Sequence, residues 1–90
     1  MLVRVKMTCE RIRNAETVDA ALAFAGLKNN RESTDGGDVV TLDVRPDPKR
    51  ETIEEAQHIA KTMLGRTADH NPALGAVYRL TNVESEILEA

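Results

Sequence analysis

One cysteine, two histidines and several closely set carboxylates are the groups in this chain that could do covalent or acid–base chemistry. Cys9 lies near Lys6 and Arg11, and positive charge beside a thiol is what stabilises a nucleophilic thiolate. Its spacing points elsewhere. Cys9 continues the every-second-residue series Val3, Val5, Met7, the buried face of a strand, where cysteine serves as a small hydrophobe. His58 falls in a helical pattern with no His or Cys three or four residues away, so it lacks the spacing of a metal ligand and pairs with Glu54 as an ordinary helix-surface neighbour. His70 stands in Asp69-His70-Asn71-Pro72, a loop sequence in which Asp69 could orient or acidify the imidazole. Asp69 and His70 are therefore the candidate catalytic pair, although adjacent residues seldom face each other and Asp and Asn are turn formers in their own right. Asp35-Gly36-Gly37-Asp38 could set two carboxylates around a cation, but it lacks the ligand intervals of a calcium loop and reads as a hairpin turn. Neither glycine cluster has a phosphate-loop or dinucleotide pattern. No cofactor and no metal are expected.

The basic residues offer a different chemistry. Arg4, Lys6, Arg11 and Arg13 against Glu10 give residues 1–13 a charge of +3, which leaves −6 on the remainder of a chain whose total is −3. If Arg4, Lys6, Arg45 and Arg79 came to one sheet face they would form a small patch for phosphate or for an acidic protein. Sheets that bind RNA stack bases on exposed aromatics, and Phe24 and Tyr78 are the only aromatic residues here. Nucleic acid is the weakest of the partner classes.

These groups must be carried by one domain, since 90 residues supply a single core. The apolar fraction is 41%, eleven of those residues being alanine, so the core rests on Val, Leu, Ile and Met. A core that thin is often completed by a second copy of the chain, and a homodimer is expected. A lone cysteine excludes an intramolecular disulfide and suits a reducing compartment, the cytoplasm. No apolar run approaches the roughly 20 residues of a membrane span, and the alternating N-terminus lacks the apolar stretch of a secretory signal.

Alternation of period two predicts strands at 2–10, at 39–45 and at 76–82. Asn14 as N-cap, Val18, Ala21, Leu22 and Ala25 at helical spacing, and Gly26 as terminator predict a helix over 15–25. A second helix starts after Asp47-Pro48 or at Thr52, carries its apolar stripe on Ile53, Ala56, Ile59, Ala60, Met63 and Leu64, and ends at Gly65. Residues 28–34 form at most an edge strand before the 35–38 turn, and 66–75 read as a surface loop. The tail from Asn82, with Ile87 and Leu88 among glutamates, extends the last strand, forms a short helix, or docks on a partner. The order strand, helix, weak strand, strand, helix, strand predicts an α+β fold of the ferredoxin-like split β-α-β kind, an antiparallel sheet with two helices on one face.

Fold does not fix function. The features suit a small non-enzymatic protein-protein interaction or regulatory module, of the sort that phages and other mobile elements encode as accessory proteins. Its expected contact residues are Arg4, Lys6, Arg45, Arg79, Ile87 and Leu88. The alternative is a small enzyme or ligand-binding subunit with an intersubunit pocket near His70. A weaker alternative is nucleic-acid binding through the basic face.

Overall fold

The computed structural model describes residues 1–68 and 75–90. Its elements are β1 (Leu2–Arg11), α1 (Ala15–Ala25), β2 (Arg31–Thr34), β3 (Gly37–Val44), α2 (Ile53–Leu64) and β4 (Tyr78–Glu89), with 3-10 turns at Lys28–Asn30, Pro48–Arg50 and Gly65–Thr67. The strands form one sheet in the order β2-β3-β1-β4, every neighbouring pair antiparallel. The fold is thus α+β, a four-stranded antiparallel sheet with two helices. No helix among the described residues is long and apolar enough to cross a membrane.

The alternation read from the sequence sets which face is covered. Val3, Val5, Met7 and Cys9 of β1 and Val40, Leu42 and Val44 of β3 are buried and join Val18 and Leu22 of α1 and Ala56, Ala60 and Leu64 of α2 in one cluster. Both helices therefore cover the same sheet face. Small residues at Ala56 and Ala60 let α2 lie close to the strands. The opposite face, with Arg4, Lys6, Thr41, Asp43, Glu84 and Glu86, carries no covering element among the described residues.

The helix ends follow their local chemistry. The Asn14 side chain accepts from the Thr17 amide at 2.8 Å, and Gly26 at φ 74° lets Leu27 fold back so that its amide reaches the Leu22 carbonyl at 2.9 Å. Of the two starts open to α2, Thr52 is the cap, accepting from the Glu55 amide at 3.1 Å, whereas Asp47 and Pro48 open a separate 3-10 turn. Gly37 is required by close approach of two strands: a Cβ there would lie 2.3 Å from the Cys9 carbonyl oxygen.

Several boundaries differ from expectation. Residues 31–34 do form a strand, although every one of them is polar, because the two-residue turn at Asp35 and Gly36 returns the chain onto β3. β3 begins at Gly37 rather than 39 and ends at Val44. The last strand starts at Tyr78 rather than 76 and continues to Glu89, so of the readings open to the stretch from Asn82 it is the strand extension that forms. A bulge explains why this extension is hidden. Cys9 pairs with Leu80 and Thr8 with Asn82, leaving Thr81 as an extra residue, and the inward positions shift from Tyr78 and Leu80 to Val83, Ser85 and Ile87. A second shift leaves Leu88 extra between Ile87, opposite Val3, and Glu89, opposite Leu2.

Candidate functional site

At the end where β1 finishes and β3 and β4 begin, side chains from all four strands and α1 meet around one carboxylate. Asp38 is fully buried. It accepts from Arg11 Nε at 3.2 Å and Nη2 at 2.7 Å, and from the hydroxyl of Tyr78. Arg11 Nη2 also donates to the Gly37 carbonyl at 2.8 Å. Arg31 places Nη1 3.8 Å from the other Asp38 oxygen and 2.6 Å from Asp19 Oδ1 on α1. Cys9 lies opposite Asp38 in register, its thiol donating to the Met7 carbonyl at 3.6 Å.

Strand parity brings these residues together. Asp38 belongs to the inward series Val40, Leu42, Val44; Arg11 to the inward series Val3 to Cys9; Arg31 faces Val40; Tyr78 shares the inward series with Leu80. A charge on an inward position must be paired. The pairing is what the five residues achieve.

The electrostatics oppose reactivity. Burial works to raise the Asp38 carboxyl, but hydrogen bonds from Arg11 and Tyr78 and the charges of Arg11 and Arg31 outweigh it and hold it below the usual carboxylate range. Burial and then the Asp38 charge push the Cys9 thiol up to about 12. Burial, reinforced by donation to Asp38, raises the Tyr78 phenol as well. Asp38 stays ionised with both oxygens engaged, while Cys9 and Tyr78 stay protonated. No group in the cluster is poised as a base or nucleophile at neutral pH. The arrangement clamps strand ends to one another.

Of the residues singled out from the sequence, Cys9 and Asp38 fall within this cluster, while Arg4, Lys6, Arg45 and Arg79 lie on the uncovered sheet face. Cys9 is a core residue, as its spacing implied. His58 is exposed on α2. Asp69 and His70 lie outside the described residues. Asp35 and Asp38 hold no cation between them, since the Asp38 carboxylate points inward to Arg11 and Tyr78. The four basic residues form no basic face. Arg4 makes a bidentate pair with Asp43 at 2.9 and 3.2 Å, Arg45 Nη2 meets Glu89 at 2.9 Å, and Arg79 lies 3.7 Å from Glu10. Lys6 stands in register between Thr41 and Glu84, and Arg4 between Asp43 and Glu86. Neighbouring carboxylates cancel the charge that sequence alone could not place. Ile87 is about half-exposed on β4, and Leu88 sits in the second bulge.

Comparison of the chain with protein-family models, with curated proteins and with solved structures finds no match. Function has to be argued from the geometry.

Proposed function

We propose that this protein is a small non-enzymatic protein-protein interaction module, that it works as a homodimer in the reducing cytoplasm, and that it captures its partner along the outer edge of β4. The observation that carries this reading is the position of β4 at the end of the sheet. Apart from a bridge between Ala68 and Tyr78, its twelve residues pair with β1 alone among the described residues, so a row of backbone N–H and C=O groups faces outward. Such an edge is a template for an added strand.

The chemistry of the edge selects the partner. Glu84, Glu86 and Glu89 stand against Arg79 along β4, which favours an extended segment with basic residues at alternate positions. The same charges disfavour edge-to-edge pairing of two identical copies. An antiparallel pair centred on Ser85 would set Val83 against Ile87 but Glu84 against Glu86 twice. The edge thus suits a different chain. The buried clamp around Asp38 supports the non-enzymatic part of the reading, and the single buried thiol suits a reducing compartment.

We further assign the fold to the ferredoxin-like split β-α-β class. The chain order strand, helix, strand, strand, helix, strand and the placement of β1 and β3 at the sheet centre support that assignment.

A synthetic peptide alternating Lys and Val, labelled for fluorescence anisotropy, tests the partner surface. The full chain should bind it with an affinity that falls as salt rises, and the E84Q/E86Q variant should bind about tenfold more weakly. Failure of the wild-type chain to bind at low salt, or equal binding by the variant, would overturn the β4 reading.

A further inference from the structure

The surface of α1 does not match the rest of the chain. Although 30% of the residues are charged, none from Ala20 to Leu27 is, and Ala20, Ala23, Phe24 and Ala25 are exposed. Phe24 is 93% exposed. A helix apolar on its outer as well as its inner side normally lies buried. Beside Phe24 a groove of about 290 Å³ opens between the C-terminal ends of the two helices, lined by Ala21, Ala25, Met63, Leu64 and Val77. A dry apolar cavity of about 150 Å³ already accepts benzene, so a phenyl ring fits here.

We propose that α1 docks on α1 of a second copy of this chain about a two-fold axis, each Phe24 entering the groove of the other. The inference rests on the homodimer reading above and names its surface. A projecting ring and an apolar recess on the same patch are self-complementary, which is what an isologous two-fold contact needs. Charge complementarity points to the same occupant. Glu16 and Lys28 make no ion pair among the described residues, and both are exposed. Antiparallel packing centred at the level of Leu22 puts Phe24 beside Ala20 and Ala21 of the partner, at the mouth of its groove, and Lys28 beside Glu16 of the partner, in both directions at once. The alanines let the two helices approach closely. A contact confined to one helix face and the neighbouring groove lies at the low end for stable complexes, so the dimer dissociates on dilution. This interface leaves the outer edge of β4 open in both copies.

Sedimentation equilibrium of the full chain over a range of concentrations tests the contact. The wild-type chain should show a monomer–dimer equilibrium, and F24S should raise the dissociation constant by about tenfold or more, since a buried aromatic anchor dominates such an interface. The exposure of Phe24 means that F24S should melt like the wild-type monomer at high dilution. E16K and K28E should each weaken the dimer, and the E16K/K28E pair should restore it. A dimer unchanged by F24S, or a double variant no tighter than the singles, would remove α1 as the interface while leaving the homodimer reading in place. A wild-type chain monomeric at every concentration would remove both.

Discussion

Asp38 concentrates the structure's electrostatic stake in one side chain. Its carboxyl sits below the ordinary value, so it resists protonation in the folded chain while the unfolded chain takes up a proton near the ordinary 3.8. The stability it contributes is therefore present in full above that value and is lost as pH falls through the lower folded value. Asp43 is shifted the same way by Arg4, but the pair is exposed and solvent screens it. The expected outcome is that D38N lowers stability at pH 7 by about 3 kcal/mol, because Arg11 loses its buried counter-charge and either Arg11 or the Tyr78 hydroxyl faces an NH2 donor in place of an acceptor. In urea unfolding at pH 7 and pH 3, the variant should also lose less stability on acidification than the wild type; an equally steep acid limb would show that Asp38 is not its source. This cluster was partly legible in the sequence. Arg11 continues the series Val3, Val5, Met7, Cys9, and Asp38 precedes Val40, Leu42 and Val44 by the same step, so parity alone places two opposite charges inside. Reading Asp38 as a turn residue beside two glycines concealed it. His70 drew notice because loop sequences carry function, and Asp69, its neighbour in the chain, was the one group the sequence offered as its partner.

At the scale of elements, helix caps and alternation transmitted most of the architecture. Asn14, Gly26, Thr52 and Gly65 bound the two helices where their side-chain and backbone chemistry says they should. β2 was legible only as a weak edge strand within 28–34, because a strand of Arg, Glu, Ser and Thr has no apolar series to recognise; its bounds follow from the turn that delivers it. Whether β4 ran on past Asn82 stayed open in the sequence because the extra Thr81 breaks the alternation that a fixed period assumes. Deleting Thr81 should accordingly be tolerated. Leu80 and Asn82 become neighbours, Val83, Ser85 and Ile87 keep their inward positions, and the loss is that of the Thr81 hydroxyl bond to the Thr8 carbonyl at 3.1 Å. About 1 kcal/mol corresponds to a fall of roughly 4–8 °C in Tm for a domain of this size. Loss of the cooperative melt on deletion would mean that the bulge itself is required. Cross-strand charge was beyond reach of a single sequence, since Arg4 meets Asp43 and Glu86 only through register.

For the whole molecule, the order of elements was readable and the use of the surface was not. Which edge lies open, and which helix shows an apolar outer side, depends on how β3, β4 and the two helices close around β1. Truncation after Asn82 should show how far the fold depends on that closure. It removes the partners of Met7, Lys6, Val5, Arg4, Val3 and Leu2, and the net stability of a domain is only about 5–15 kcal/mol, so the shortened chain should lose its cooperative thermal transition in circular dichroism. A two-state melt close to that of the full chain would show that the sheet suffices with β4 cut back to Tyr78–Asn82. The pairing of β1 with β4 also bears on how the protein is made. Contacts such as Thr8 with Thr81 span 73 residues, and contacts that distant are slow to form. On the ribosome, the flank of β1 that β4 will occupy stays vacant until residues 78–89 have emerged, so the nascent chain exposes an unpaired strand edge over that stretch of synthesis, the kind of surface that chaperones shield.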